Sequence, residues 1–316
     1  MDGQDIDQVI GLIGLPRSGT TLITSLLAVH SKICAVYEPW HAAFSRRHEV
    51  SPAASRHREV SKVSRGVRTI DGFMRHFAPV LNGKTTLLIK ETSTRPDYVR
   101  AMDDLLESVR APVQRRLIVP LRNPFHVFLS EFEARRKWWG DPDLDLSATE
   151  FDLWAEKTLY SVRLIAQMVR RFGAVFVSYE RFVKDPTVCR ALMGELDLTY
   201  EPRQDVYEQH LRTKDVKGDQ RLHKNPEPIS GEPVERRTLE SAQIQSIISS
   251  AKHYPEILRL AELTSGCPET GVATASEFPA FAKAFRSVNR EKLRRLALTL
   301  SNAVRRRFVS IGIDDS

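Results

Sequence analysis

Short, nearly unbroken apolar runs alternate along the chain with longer stretches in which apolar side chains recur every three or four positions. The clearest runs are 9–15, 86–89, 117–121 and 174–178, with 33–37 as a weaker fifth. They are short, rich in β-branched residues and lack the alternation of a half-exposed strand, as expected of parallel strands buried on both faces. Helical periodicity is predicted over 20–30, 96–109, 125–138, 149–172 and 187–196. Strands alternating with helices imply βαβ units with right-handed crossovers. The predicted fold class is therefore α/β, a three-layer α/β/α arrangement on a central parallel sheet, with further helices at the C-terminal end.

Two regions break that rhythm. Residues 41–68 carry seven Lys/Arg, two Glu and little apolar periodicity, as in an exposed lid insertion. Residues 199–236 are polar and contain Pro202, Pro226, Pro228 and Pro233, a long loop of the kind that usually serves function. One helix is expected over 239–264, followed by a hinge over 265–276. The expected organisation is one domain over 1–264 and a hinge with a basic helical extension over 265–316.

Composition narrows the class. The 316 residues are 41% hydrophobic and 28% charged, ordinary for a globular chain with a sizeable core. The three cysteines, Cys34, Cys189 and Cys267, form no CxxC pair, which argues against a disulfide scaffold or a zinc site. The first eight residues carry three Asp and no basic stretch, so they do not read as a signal peptide, and a cytoplasmic protein is expected. The net charge of +7 points at first to nucleic acid or membrane. Residues 283–307 alone hold nine basic residues and one acid, however, which leaves the rest of the chain at −1. Nucleic acid is therefore not expected as a partner. Two readings of the basic segment stand: a terminal helix packed on the domain, or a peripheral contact with a membrane or an anionic glycan.

The strongest local signal is Gly14-Leu-Pro-Arg-Ser-Gly-Thr-Thr-Leu22, between a buried strand and an amphipathic helix. Glycines admit an anion close to the backbone, and the helix start aims N–H groups at it. Against the P-loop pattern GxxxxGK[ST], Gly14, Gly19 and Thr21 fit, but Thr20 stands where the lysine belongs, and the cation is Arg17. That disfavours ATP chemistry. A second segment, Leu121-Arg-Asn-Pro-Phe-His-Val-Phe-Leu-Ser130, places Arg122 at a strand end, Asn123 as a helix cap and Pro124 in the first turn. Arg122 and Ser130 can then converge on one phosphate. By itself Arg-Asn-Pro is also an ordinary helix start.

Together these segments resemble the sulfotransferases that use 3′-phosphoadenosine 5′-phosphosulfate (PAPS), whose product is the 3′,5′-bisphosphate PAP. Pro16-Arg-Ser-Gly-Thr-Thr21 resembles their phosphosulfate loop, and 121–130 their 3′-phosphate strand and helix. Val177-Ser-Tyr-Glu-Arg-Phe-Val-Lys-Asp-Pro186 resembles a later strand-to-helix segment whose tyrosine, Tyr179 here, lies near the adenine. The resemblance implies a P-loop-like fold, cofactor contacts from Pro16, Arg17, Ser18, Gly19, Thr20, Thr21, Arg122, Ser130 and Tyr179, and no metal. It also implies a lid, for which Lys217, Gly218 and Arg221 are candidates within a degraded Gly-rich signature.

Sulfuryl transfer needs cations on developing charge and a base for the acceptor hydroxyl. Arg17 is the expected clamp. Lys90, ending a buried strand, is assigned charge stabilisation, the other reading being a strand-end lysine whose stem is buried. Glu38, in Ala35-Val-Tyr-Glu-Pro-Trp-His41, resembles the base of the Arg-Ser-Gly-Thr branch, and apolar surroundings from Tyr37 and Trp40 are expected to raise its proton affinity. His41 is the rival base, and a surface glutamate before proline is the other reading of Glu38. Glu-Pro followed by Trp-His is similar to carbohydrate sulfotransferases, with one residue fewer. The expected acceptor is a hydroxyl on a carbohydrate or glycolipid, with Trp40, Trp138, Trp139 and Trp154 as candidates for a stacking platform. A small secondary-metabolite alcohol or phenol is the alternative. A P-loop kinase and a basic binding module are the rivals from other classes.

Overall fold

The computed structural model describes residues 6–40, 67–81, 83–137, 141–205, 241–277 and 279–285. At its centre is β1 (Gln8–Gly14), buried at every position and paired in parallel with β3 (Thr86–Thr92) and β4 (Gln114–Leu121). Outside β3 lies β2 (Ile33–Tyr37), and outside β4 lies β5 (Val175–Ser178), both also parallel. A sixth strand, β6 (Val272–Thr274), runs antiparallel beside β5, giving the order β2-β3-β1-β4-β5-β6. Strands with helices on both faces have no solvated side, which is why the apolar runs do not alternate.

Alternate residues of β1 enter different cores. Val9 and Ile13 pack with α2 (Ile70–Leu81), α3 (Pro96–Ser108), α4 (Pro124–Lys137) and α5 (Ala148–Phe172). Ile10 and Leu12 pack with α1 (Thr20–Leu27), the short α6 (Tyr179–Phe182) and α7 (Pro186–Glu195). On the first face, α8 (Ser241–Ala251), α9 (Pro255–Ser265) and α10 (Pro279–Ala284) complete the layer. Local chemistry sets several boundaries. The side chain of Ser147 accepts from the N–H of Glu150 at the start of α5, and that of Asp185 accepts from Thr187 where Pro186 opens α7.

Three expectations are corrected. The single helix over 239–264 is two, because Pro255 cannot continue α8 and instead opens α9. The hinge over 265–276 contains β6, reached through Gly271 at φ 71 and hydrogen-bonded to β5. The beginning of the basic extension belongs to the core: Phe281 of α10 lies 5.0 Å, centroid to centroid, from Phe176 of β5. The rest of that segment, and nearly all of the two regions expected to form a lid and a long loop, lie outside the described residues. No helix among the described residues is long and apolar enough to cross a membrane.

Candidate active site

The turn between β1 and α1 is held by its own atoms. Ser18 donates to the carbonyl of Leu15 through both its hydroxyl (2.7 Å) and its N–H (3.1 Å), and the N–H of Ser93 donates to Gly14 at 2.9 Å. Ser18 thus spends its hydroxyl inside the loop. Arg17 and Gly19 both take positive φ, 67 and 89. At position 19 this is native to glycine, whereas at position 17 an arginine is held in a strained conformation. α1 starts at Thr20 with no side-chain cap, so its first N–H groups face out of the turn.

β4 and α4 bring the second segment onto this turn. The Nε of Arg17 donates to the hydroxyl of Ser130 at 3.1 Å, and Arg122 donates from Nη1 to the carbonyl of Arg17 at 2.7 Å. The Arg122 guanidinium lies 4.4 Å from the centroid of the Tyr179 ring. That ring in turn covers Gly19, where a Cβ would stand 2.1 Å from Cδ2. Arg17, Gly19, Arg122, Ser130 and Tyr179, gathered from residues more than 160 positions apart, thus form one contact network at the carboxyl ends of β1, β4 and β5, where ligands of α/β sheets bind.

Glu180 extends the network. Its carboxylate accepts from the N–H of Asn123 at 2.9 Å, and His126 Nδ1 lies 3.6 Å away. Burial disfavours its charge, but these hydrogen bonds and the charge of Arg122 outweigh it and hold the carboxyl below its ordinary range. Asn123 also caps α4, accepting from Phe125 at 3.0 Å. Sequence reasoning passed over Glu180, although it sits beside Tyr179 in the quoted segment.

The carboxylate expected near the reacting centre directly follows β2, alongside β3. Glu38 is ion-paired with Lys90, whose side chain is only 1% exposed, against 32% for Glu38. Glu38 has φ 45, and its N–H donates to the carbonyl of Lys90 at 2.7 Å. Its surroundings are therefore not the apolar ones expected, since a buried ammonium faces it. The group driven toward its neutral form is Glu91, which follows Lys90 on β3 and is fully buried. Burial, and then the charge of Glu38, push its carboxyl up to about 8, against opposing hydrogen bonds from Thr92 and Trp40 and the charge of Lys90. Trp40 is buried, donates from Nε1 to Val67 at 3.1 Å and packs on Phe73, while Trp154 sits among Phe128 and Phe151. Neither offers a stacking platform. Trp138, Trp139, His41, Lys217, Gly218 and Arg221 lie outside the described residues.

The turn after the first strand, the cationic corner on the neighbouring strand and the carboxylate–lysine pair thus stand at the carboxyl ends of a mostly parallel α/β sheet. The sequence profile of the Sulfotransferase family matches residues 10–202, and the chain belongs to that family. It is an enzyme of the sulfotransferase type. No curated protein matches the chain. Among solved structures, the sulfotransferase domain of the Synechococcus PCC 7002 olefin synthase is 20% identical, with 81% of this chain and 97% of that one covered and a TM-score of 0.49. The sulfotransferase domain from the curacin biosynthetic pathway is 17% identical, covering 79% and 98%, with a TM-score of 0.48. A sulfotransferase from Alicyclobacillus acidocaldarius is 18% identical, covering 64% and 89%, at 0.40.

Proposed function

We propose that this chain takes PAPS as donor and transfers its sulfuryl group to the hydroxyl of a carbohydrate or glycolipid, in the cytoplasm. The observation that carries the donor is the contact network of Arg17, Arg122 and Ser130. Two guanidinium groups and a hydroxyl meet beside an uncapped helix start, a donor set suited to a ligand with anionic groups at both ends. The glycine at position 19 admits the Tyr179 ring, and with it Arg122, against the turn.

In this reading Arg17 and the first N–H groups of α1 hold the phosphosulfate, while Arg122 and Ser130 hold the 3′-phosphate and the Tyr179 ring flanks the adenine. Bound PAPS supplies an activated sulfuryl group on a phosphate leaving group. A carboxylate oxygen of Glu38 takes the proton of the acceptor hydroxyl as the hydroxyl oxygen bonds to sulfur, and the bond from sulfur to the phosphate oxygen breaks to release PAP. Lys90, ion-paired with Glu38, aligns its carboxylate in the resting site. Arg17 neutralises charge that grows on the departing phosphate.

The segment Glu38-Pro-Trp-His41 supports the sugar acceptor through its likeness to carbohydrate sulfotransferases. The burial of Trp40 and Trp154, which takes both from a sugar-stacking surface, favours a small alcohol or phenol as the second reading. Calorimetric titration with PAP, and with ATP plus Mg²⁺, tests the donor: PAP binding with indifference to ATP is expected, and the reverse sinks it. A screen of sugar, glycolipid and phenolic acceptors with labelled PAPS, run on wild type, Arg17→Ala and Glu38→Gln, tests the rest. Full turnover by Glu38→Gln refutes the base.

A further inference from the structure

Glu91 is wholly buried at the end of β3, and neither donor binding nor proton transfer as described above uses it. A buried carboxyl is tolerated only when its oxygens are hydrogen-bonded, and both of these are: Oε1 accepts from the N–H of Thr92 at 2.9 Å and Oε2 from the N–H of Trp40 at 3.3 Å. The first bond is local. The second crosses to the turn that carries Glu38.

That turn is strained. Glu38 has φ 45, a left-handed conformation that costs a residue with a Cβ and persists only where the surroundings impose it. The restraint comes from both faces of β3. Lys90 and Glu91 are neighbours on the strand and point to opposite faces. From one, Lys90 takes the Glu38 carboxylate, while its carbonyl accepts the Glu38 N–H. From the other, Glu91 takes the N–H of Trp40, two residues on, and the Trp40 indole is fixed in turn by Val67 and Phe73. The turn straddles the strand end, gripped before and behind Pro39.

From this arrangement we infer that Glu91 is a positioning residue for Glu38: it clamps the trailing end of the turn, so that the left-handed residue presents its carboxylate to the acceptor. The inference rests on Glu38 being the base. The role calls for a side chain that accepts two N–H groups at once. A carboxylate does so with both oxygens, and a neutral carboxyl with its carbonyl oxygen and, more weakly, its hydroxyl oxygen, whereas glutamine offers one acceptor and sets an NH₂ against the second N–H.

The test uses the full chain with Glu91→Gln, Glu91→Asp and Glu38→Gln, measuring kcat and acceptor KM with labelled PAPS and PAP affinity by calorimetry. Misplacing the base by a fraction of an ångström to about 1 Å should lower kcat of Glu91→Gln roughly 10- to 100-fold. Its PAP affinity should stay within about twofold of wild type, because the donor contacts lie on other strands. Glu91→Asp, which retains both acceptor oxygens, should recover part of the loss. Wild-type kcat in Glu91→Gln overturns the inference, as does a Glu91→Asp no faster than Glu91→Gln. Loss of PAP binding in both variants also overturns it, since that marks a general scaffold residue. Turnover retained by Glu38→Gln removes the base itself, and that variant alone separates the two failures.

Discussion

Gly19→Ala is the single-methyl change that strikes the donor site hardest. The added Cβ would meet two obstacles. The backbone there has φ 89, and a residue with a Cβ held in the left-handed region costs about 1–2 kcal/mol. The Cβ would also lie 2.1 Å from Cδ2 and 2.6 Å from Cε2 of Tyr179, so the ring has to retreat by more than an ångström. Overpacking of this kind typically costs ~1–3 kcal/mol. The ring cannot retreat alone, because the Arg122 guanidinium lies over it and also donates to the carbonyl of Arg17. The total of about 2–5 kcal/mol should lower the melting temperature by roughly 4–20 °C, at about 2–4 °C per kcal/mol for a domain of this size. PAP affinity should fall along with it. Thermal unfolding followed by circular dichroism, with and without PAP, reads both effects. In Gly19→Ala/Tyr179→Ala the clash is gone and the backbone term stays, so the double variant should lose less than the sum of the singles. A Gly19→Ala protein that melts and binds PAP like wild type refutes the packing of Tyr179 on the turn.

Other expectations follow from the same contacts. Between the ordinary glutamate value of 4.5 and about 8, the folded chain keeps a proton on Glu91 that the unfolded chain has lost. Stability should therefore fall as pH rises through that window, by at most about 1.4 kcal/mol per pH unit, and denaturant titrations of Glu91→Gln should show a flatter slope. Arg17 has φ 67, so at this position glycine should be more stable than alanine by about 1 kcal/mol, the reverse of the usual order, as judged by urea midpoints of Arg17→Gly and Arg17→Ala. Phe281→Ala should cost ~3–5 kcal/mol, as judged by urea midpoints, because the ring is 2% exposed and packs on Phe176.

What the sequence disclosed depended on how local each signal was. The five parallel strands were visible because burial on both faces writes an apolar run into consecutive residues. Arg17, Arg122, Ser130 and Tyr179 stood in segments whose chemistry is carried by neighbours in the chain, and the fold brings them into contact. α2 was missed because Gly72 and Pro79 interrupt its helical pattern. β6 was missed because three residues carry no measurable period, and its pairing with β5 is a tertiary fact. Nothing in the sequence singles out Glu91. Its importance appears only once the turn at 38–40 has folded over β3, a juxtaposition that no spacing along the chain encodes. The environment expected for Glu38 was wrong for the same reason, since Lys90 meets it from another strand.

The antiparallel strand β6 sets the order in which the molecule can be finished. β5, whose end leads into Tyr179, has β4 on one side from early in the chain, but its other edge is closed only by Val272–Thr274. A nascent chain emerging from the ribosome therefore carries the segments around Arg17, Arg122 and Tyr179 well before it can seal that edge. During this interval the bare N–H and C=O groups of β5 are open to pairing with another chain. Release of a complete C-terminal region, rather than assembly of the phosphate turn, should be the step that separates productive folding from aggregation.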